Sequence, residues 1–164
     1  LMNSPGHRAN ILSKEATHLG VGVRRHENGE LLTTQVFLRV PTPVDIATAR
    51  ARLAKTVELR RRSKRLRAWT LDDTLQRAAM KHARSLARNK GKAPQPKPNG
   101  LRGRYRQLIT AVEVVGSVDD FIGKSVERSH AGGYGIGVAQ GEHRDLGANV
   151  LYVVILIGVP AATG

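Results

Sequence analysis

The sequence predicts an α+β fold, because strands and amphipathic helices follow one another along a single chain. Two stretches, residues 17–41 and 134–159, have the alternating apolar pattern and the turn signals of β-hairpins. Between them, apolar residues recur at intervals of three and four, which is typical of helices with one buried face. At 164 residues the chain has the usual size of one globular domain and is short for two complete ones.

The composition excludes cysteine chemistry and gives no sign of a membrane-spanning helix. Cysteine is absent, which excludes disulfides, thiol nucleophiles and thiolate metal sites within this chain. No apolar run approaches the roughly 18–20 residues of a membrane-spanning helix, and no secretory signal is visible. Because the chain opens at Leu1 in the middle of a helix-and-turn pattern, we expect the true N-terminus to lie upstream.

The first hairpin is predicted from residues 19–23, in which apolar residues alternate with glycine. Asn28-Gly29 supplies a strong two-residue hairpin turn signal. The return strand, residues 31–40, is rich in β-branched residues and stops at Pro41. A short stiff linker at residues 42–43 follows it.

Two helices are predicted in the middle of the chain. The first begins at Asp45, and the second begins after Trp69, which is itself expected to anchor the core. Thr70 and Asp73 form a capping signal for the second helix, and His82 lies on its apolar face as a core residue. The pattern beyond it predicts a loop, a short strand and a helix, over residues 89–101, 112–115 and 119–128.

The last hairpin repeats the first. Residues 134–138 share with residues 19–23 the pattern apolar-Gly-apolar-Gly-Val, at an offset of 115 residues. In each hairpin a polar turn follows, and then an apolar strand that ends in Val-Pro. A repeat at domain-length spacing indicates two tandem copies. The first copy is represented only by its last helix and hairpin, residues 1–41, and the second occupies residues 44–160, with a tail at 161–164.

The opening segment, residues 3–12 (NSPGHRANIL), together with Leu19–Val23 and the later TQVF at 34–37, resembles the CAP superfamily. This group is also called SCP-like and contains the cysteine-rich secretory, antigen 5 and pathogenesis-related proteins. The second copy is similar more loosely: residues 78–83 resemble the family's A-x-x-H-A helix, Glu113 falls at the family's Glu, and Ser125 falls where the S-P-G-H-R helix begins.

The resemblance implies an α-β-α sandwich with a small, mostly antiparallel sheet between helices. It also implies a cleft in which two His and two Glu side chains bind a divalent metal such as Zn²⁺. Members are mostly secreted or envelope proteins, so the same location is expected for this bacterial-type chain. Activities across the family range over lipid or sterol binding, glycan interaction and proteolysis.

His7 and Glu113 match metal-binding positions of the family. For His7 the alternative is a brace for the hairpin, because the partners from its own copy would lie outside this chain. For Glu113 the alternative is a salt-bridge or cap partner. In the second copy Arg128 falls where the cleft histidine belongs, and His130 is two positions away. Since a zinc site needs at least three protein ligands, the second copy is expected to bind no metal and to be non-catalytic.

Basic residues are concentrated in the first half of the second copy. Residues 50–106 carry nineteen Lys and Arg against three acids, and the formal net charge of the chain is +14. Six basic residues stand within eight positions and form the predicted anion-binding set: Arg60, Arg61, Arg62, Lys64, Arg65 and Arg67. The alternative is a solvated helix face.

The sequence thus favours a binding or structural module that contacts an anionic envelope polysaccharide or lipid surface through a basic helix. One alternative is a metal-dependent hydrolase that uses His7 with residues outside this chain. Another is a nucleic-acid-binding protein that uses residues 60–67, although aromatic side chains for base stacking are missing there. The incomplete first copy has little core, so we expect it to pack on the second copy, to exchange in a domain-swapped homodimer or to stay partly disordered.

Overall fold

The computed structural model describes residues 2–96, 104–129 and 132–160 and divides the chain into two compact units, Leu1–Val40 and Pro41–Gly164. The predicted tail at 161–164, His130 and part of the predicted loop at 89–101 lie outside the described residues. None of the described helices is long and apolar enough to cross a membrane.

The first unit contains one short helix and the predicted hairpin. Helix α1 is Pro5–Ile11, and strands β1 (His18–Arg25) and β2 (Leu31–Leu38) pair antiparallel along their full length. Gly29 has a φ of +90°, which glycine adopts without strain and which closes the turn. The hairpin prediction is confirmed.

The second unit is an open four-stranded sheet with helices, which confirms the predicted α+β class. Strand order is β3-β5-β6-β4, with β3 parallel to β5 and the other pairs antiparallel. The elements are α2 (Ile46–Ser63), β3 (Thr70–Leu71), α3 (Asp73–Arg88), β4 (Tyr105–Val115), β5 (Gly133–His143) and β6 (Gly147–Pro160). Strand β4 is longer than the predicted 112–115, because Tyr105 already pairs with the end of β6.

The central strand β6 is buried on both faces, and its alternating side chains separate two cores. Leu151, Val153, Ile155 and Ile157 belong to the core with α2, whereas Val150, Tyr152, Val154 and Leu156 belong to the core with α3. Because successive side chains of a strand point to opposite faces, α2 and α3 cover opposite sides of the sheet. This arrangement is the α-β-α sandwich with a mostly antiparallel sheet.

The glycines of the repeated motif let α3 lie close to β5. A Cβ atom at Gly135 would collide with the backbone of Leu75 and Gln76, and one at Gly137 would collide with the carbonyl of Ala79. In the first unit, a Cβ at Gly20 or Gly22 would meet nothing within 4 Å. The same sequence motif therefore carries a packed helix only in the second unit, among the described residues.

The N-cap of helix α3 lies two residues after the predicted cap. The carboxylate of Asp72, not the hydroxyl of Thr70, accepts from the backbone N–H groups of Thr74 (2.8 Å) and Leu75 (3.0 Å). The Thr70 prediction is wrong because Thr70 is already extended in β3 and its N–H donates to Gly132.

Asp72 is also tied to the end of the sheet. It is buried, accepts a hydrogen bond from the Tyr105 hydroxyl (2.9 Å) and lies 3.1 Å from the Arg104 guanidinium. Burial by itself raises the pKa of Asp72, but the hydrogen bonds from Leu75, Tyr105 and Thr74 and the charge of Arg104 outweigh it, so the pKa lies below its ordinary value.

The predicted helix over residues 119–128 is replaced by two 3₁₀ turns, Val118–Asp120 and Lys124–Glu127. Between them Gly123 has a φ of +60°, which interrupts a right-handed helix. Glu113 fixes this break, because its two carboxylate oxygens accept from the N–H groups of Ile122 (3.0 Å) and Gly123 (2.9 Å).

Candidate anion-binding site

The basic run lies around the C-terminal end of α2. Residues 60–63 form the last turn, Lys64 is the C-cap, and Arg65 has a φ of +54° that reverses the chain. The N–H groups of Arg65 and Leu66 donate to the carbonyls of Arg62 (3.0 Å) and Arg61 (2.9 Å) and close the helix end. Cations are stabilised here by the partial negative charge of the free helix carbonyls.

Arg61 is the exception in the predicted anion-binding set, and for this residue the prediction is wrong. It is only 2% exposed. Its guanidinium donates to three carbonyl oxygens: Arg67 (2.9 and 2.6 Å), Val126 (2.6 Å) and Arg128 (2.9 Å). Arg61 therefore joins α2 to the turn behind it and to the second 3₁₀ turn, and four of its five N–H donors are used by the protein.

Arg61 also covers the single tryptophan. Its guanidinium carbon lies 3.8 Å from the centroid of the Trp69 ring, within the range of a cation–π contact. Burial lowers the pKa of Arg61, yet an arginine stays protonated at neutral pH. Trp69 is buried, as predicted for a core anchor.

The other predicted cations face solvent. Arg62, Lys64, Arg65 and Arg67 are exposed and Arg60 is half-buried. Within the described parts of the chain, none of these five forms an ion pair. Their positive charge is thus open to an external anion. We call Arg62, Lys64, Arg65 and Arg67 the α2 cluster.

A cavity of about 510 Å³ opens beside the α2 cluster. Arg62 and Arg65 contribute to its wall, together with Glu58, and Trp69 and Tyr134 contribute aromatic surface. The two aromatic ring centroids are 6.0 Å apart. Burial, with a smaller contribution from the negative charge of Glu58, raises the pKa of Tyr134, so its hydroxyl is a neutral hydrogen-bonding group. The cavity can hold one sugar- or phosphate-sized unit between cationic and aromatic groups.

The predicted metal residues lie in different units. His7 is exposed on α1, with its Nδ1 2.9 Å from the Ser4 hydroxyl, and Glu113 is in β4 of the second unit. The two backbone hydrogen bonds accepted by Glu113 correspond to the alternative predicted for it, a cap partner. Across residues 2–96, 104–129 and 132–160, no three His, Asp or Glu side chains are grouped as metal ligands.

The structure also shows the burial of His82 and the exposure of Arg128. His82 is 6% exposed in the α3 core, and burial lowers its pKa, which confirms the core prediction. Arg128, at the position where the family resemblance predicts the cleft histidine, is exposed and follows the second 3₁₀ turn.

Sequence reasoning does not identify Tyr134 or Glu58 as cavity residues. The local pattern places Tyr134 only in a strand, and Glu58 is one acid in a basic helix. Tyr134 reaches the cavity because β5 pairs with the residues directly after Trp69 through β3. No local pattern signals that parallel contact, which joins segments more than sixty residues apart.

Comparison with known proteins bears on the fold. No family model and no curated protein matches the sequence. The chain is similar in structure to an outer surface protein from Borrelia burgdorferi, with a TM-score of 0.56 and 14% sequence identity. The match covers 74% of this chain and 100% of the other. At this identity the similarity shows the shared α+β fold alone.

Proposed function

We propose that this chain is a non-catalytic binding module of the CAP/SCP-like type, from an exported bacterial protein, and that it contacts an anionic envelope polymer through the α2 cluster. The observation that carries the proposal is the set of four exposed cations, without ion-pair partners in the described structure, beside a cavity of about 510 Å³. The name of the structural neighbour, an outer surface protein, supports an envelope location.

The geometry favours a polymer bound in segments. The α2 cluster spreads over a helix end and the turn after it, so successive charges of a flexible chain could each reach a cation. One unit of that chain would enter the cavity and contact Trp69 and Tyr134, and the neutral tyrosine hydroxyl would accept or donate a hydrogen bond. Arg61 also lines the cavity, but it would contribute little to binding the anion, because most of its guanidinium donors are bonded to backbone carbonyls.

The test uses Trp69, the only tryptophan of the chain, as a built-in fluorescence probe of the cavity. Polygalacturonate, an acidic polysaccharide, is titrated into the wild type and into the variant Arg62→Gln, Lys64→Gln, Arg65→Asn and Arg67→Gln. Asparagine is chosen at position 65 because it tolerates the positive φ found there. We expect a saturable fluorescence change in the wild type that is lost in the variant.

Two comparisons make the test specific. Vesicles of phosphatidylglycerol and single-stranded oligo-dT replace the polysaccharide, and tighter binding to either one would contradict a polysaccharide ligand. Raising the salt above about 0.5 M should abolish binding, since contacts between exposed charges are then screened. Binding that persists unchanged at that salt concentration would also contradict the proposal.

A further inference from the structure

A second basic surface lies along α3, outside the basic run at residues 60–67. A groove of about 540 Å³ is lined by five cations, Arg50, Arg77, Lys81, Arg84 and Arg88, and by no carboxylate. None of the five forms an ion pair within the portion of the chain that the structure describes. We call this the α3 groove. It shares no lining residue with the cavity beside the α2 cluster.

Helix geometry arranges these charges in a row. Positions 77, 81, 84 and 88 are separated by four, three and four residues, so their side chains lie on one face of α3. With a rise of 1.5 Å per residue the row is about 16 Å long. Arg50, near the start of α2, adds a fifth cation to the same groove. The row matches an extended chain that carries several regularly spaced negative charges.

The support under the row is rigid. The opposite face of α3 is buried in the sheet core, and Gly135 and Gly137 bring the helix backbone against β5. Because the helix backbone is already fixed, only the side chains of the row lose freedom when a ligand binds, which lowers the entropic cost of binding.

Side chains at the floor of the groove form hydrogen bonds with the backbone groups of β5 that no neighbouring strand pairs with. Strand β3 pairs only with the first two residues of β5. Beyond them, the Gln76 amide donates to the Ile136 carbonyl (2.6 Å) and accepts from its N–H (3.1 Å), and the Met80 sulfur accepts from the Val138 N–H (3.4 Å). Gln76 and Met80 both line the groove. A ligand would therefore be held by the surrounding cations and not by strand pairing.

We propose that the α3 groove is a second binding site for a linear polyanion, recognised by charge alone and independent of the α2 cluster. Four like charges at helical spacing repel one another, and a bound anionic chain would remove that repulsion. The groove lining contains no aromatic side chain, so base stacking of the kind used for single-stranded nucleic acids is not available. The ligand class is a flexible chain of phosphate or carboxylate groups.

The experiment compares two variants that lose the same charge. In the groove variant, Arg77, Lys81, Arg84 and Arg88 are each replaced by Gln, which keeps helix propensity. The matched control is the α2-cluster variant described above, which also loses four positive charges. Calorimetric titration of the full chain with short linear polyphosphate measures the number of chains bound, and circular dichroism checks that each variant is folded.

We expect the wild type to bind two polyphosphate chains and the groove variant to bind one. The groove affinity should fall with salt, with a slope of log K against log salt of about −0.7 for each phosphate contacted. If the α2 cluster does not bind, the wild type should bind one chain, the control variant should keep it and the groove variant should lose it. That result would leave the α3 groove assigned and would show that the α2 cluster does not bind phosphate chains, whereas the titration with polygalacturonate tests the function proposed above.

Four results would overturn the groove proposal. The first is an unchanged number of bound chains and affinity in the groove variant. The second is an equal weakening in both variants with no change in the number of sites, which would mean that net charge alone acts. The third is at least about tenfold tighter binding of oligo-dT than of polyphosphate with equal charge, which would indicate base recognition. The fourth is self-association of the groove variant with binding retained, which would mean that the cations protect the β5 edge.

Discussion

Replacement of Arg61 by Met should destabilise the second unit more than any substitution in the exposed basic set. Met keeps much of the apolar volume of the arginine stem but has no donor groups. The four hydrogen bonds from the guanidinium to the carbonyls of Arg67, Val126 and Arg128 would be lost. The cation–π contact with Trp69 would be lost as well.

The expected magnitude follows from the three carbonyl groups left without their donors. The buried Val126 carbonyl left without a partner costs about 1–3 kcal/mol, and the partly buried carbonyls of Arg67 and Arg128 cost less. The stack on Trp69 adds about 1 kcal/mol. Removing a buried charge returns part of its desolvation cost, so the sum is an upper limit. We therefore expect Arg61→Met to lower the free energy of unfolding by about 3 kcal/mol, a large share of the stability of a small domain.

Urea unfolding followed by Trp69 fluorescence and by circular dichroism measures this change. The control is Arg62→Met at the adjacent exposed position, where we expect a change within about 0.5 kcal/mol. Arg61→Lys should fall between the two, because an ammonium cannot donate in the fixed fork of a guanidinium. If Arg61→Met and Arg62→Met differ by less than about 1 kcal/mol, Arg61 is not a structural anchor and the reasoning is refuted.

Substitutions at three further positions, with a control at Gly22, test the packing and polar contacts. Gly137→Ala should destabilise by at least about 1–3 kcal/mol in thermal or urea unfolding, because its Cβ collides with the Ala79 carbonyl. Its control, Gly22→Ala, has open space around the Cβ and should change stability by less than about 1 kcal/mol. Asp72→Asn should reduce the acid dependence of stability, measured as the urea midpoint between about pH 2 and 6. Glu113→Ala should cost about 1–3 kcal/mol in urea unfolding, and Glu113→Gln less, because the amide keeps one acceptor.

The sign of the Asp72 effect follows from its pKa. The folded pKa is below the unfolded value of about 3.9, so the carboxylate stabilises the fold above that pH and the contribution is lost as pH falls through the folded pKa. If the stabilities of the wild type and of Asp72→Asn fall in parallel over this range, the Asp72 carboxylate does not stabilise the fold as inferred. Equal effects of Gly137→Ala and Gly22→Ala would contradict the close approach of α3, and equal effects of the two Glu113 substitutions would contradict its role as a double acceptor.

The fold was largely predictable from sequence because its signals are local. The hairpins follow from alternating apolar residues and from turn residues such as Gly29. Helices α2 and α3 follow from apolar spacing and nearby caps. The prediction failed at residues 119–128, where the carboxylate of Glu113 in the preceding strand accepts from two N–H groups and holds a break that the helical pattern does not reveal.

The candidate site was predicted only in part. The position of the α2 cluster could be inferred from the charge run, but the inward direction of Arg61 could not, because its neighbours Arg60 and Arg62 have the same chemistry. Its direction depends on the carbonyls of Val126 and Arg128, which approach from a segment about sixty-five residues later. The α3 row does not stand out in the sequence, because its cations are separated by other residues and become neighbours only on a helix.

The sequence by itself determined the α+β class, the two similar hairpins and the concentration of positive charge before residue 107. These features depend on residue type and spacing, which act over a few neighbours. Only the tertiary structure decided which glycine motif carries a helix, which arginine is buried and which cations form a groove. Each of those outcomes depends on segments that are distant in sequence and adjacent in the fold. Helix packing decides the role of the glycines, carbonyl acceptors decide the direction of Arg61, and helix geometry decides which cations are neighbours.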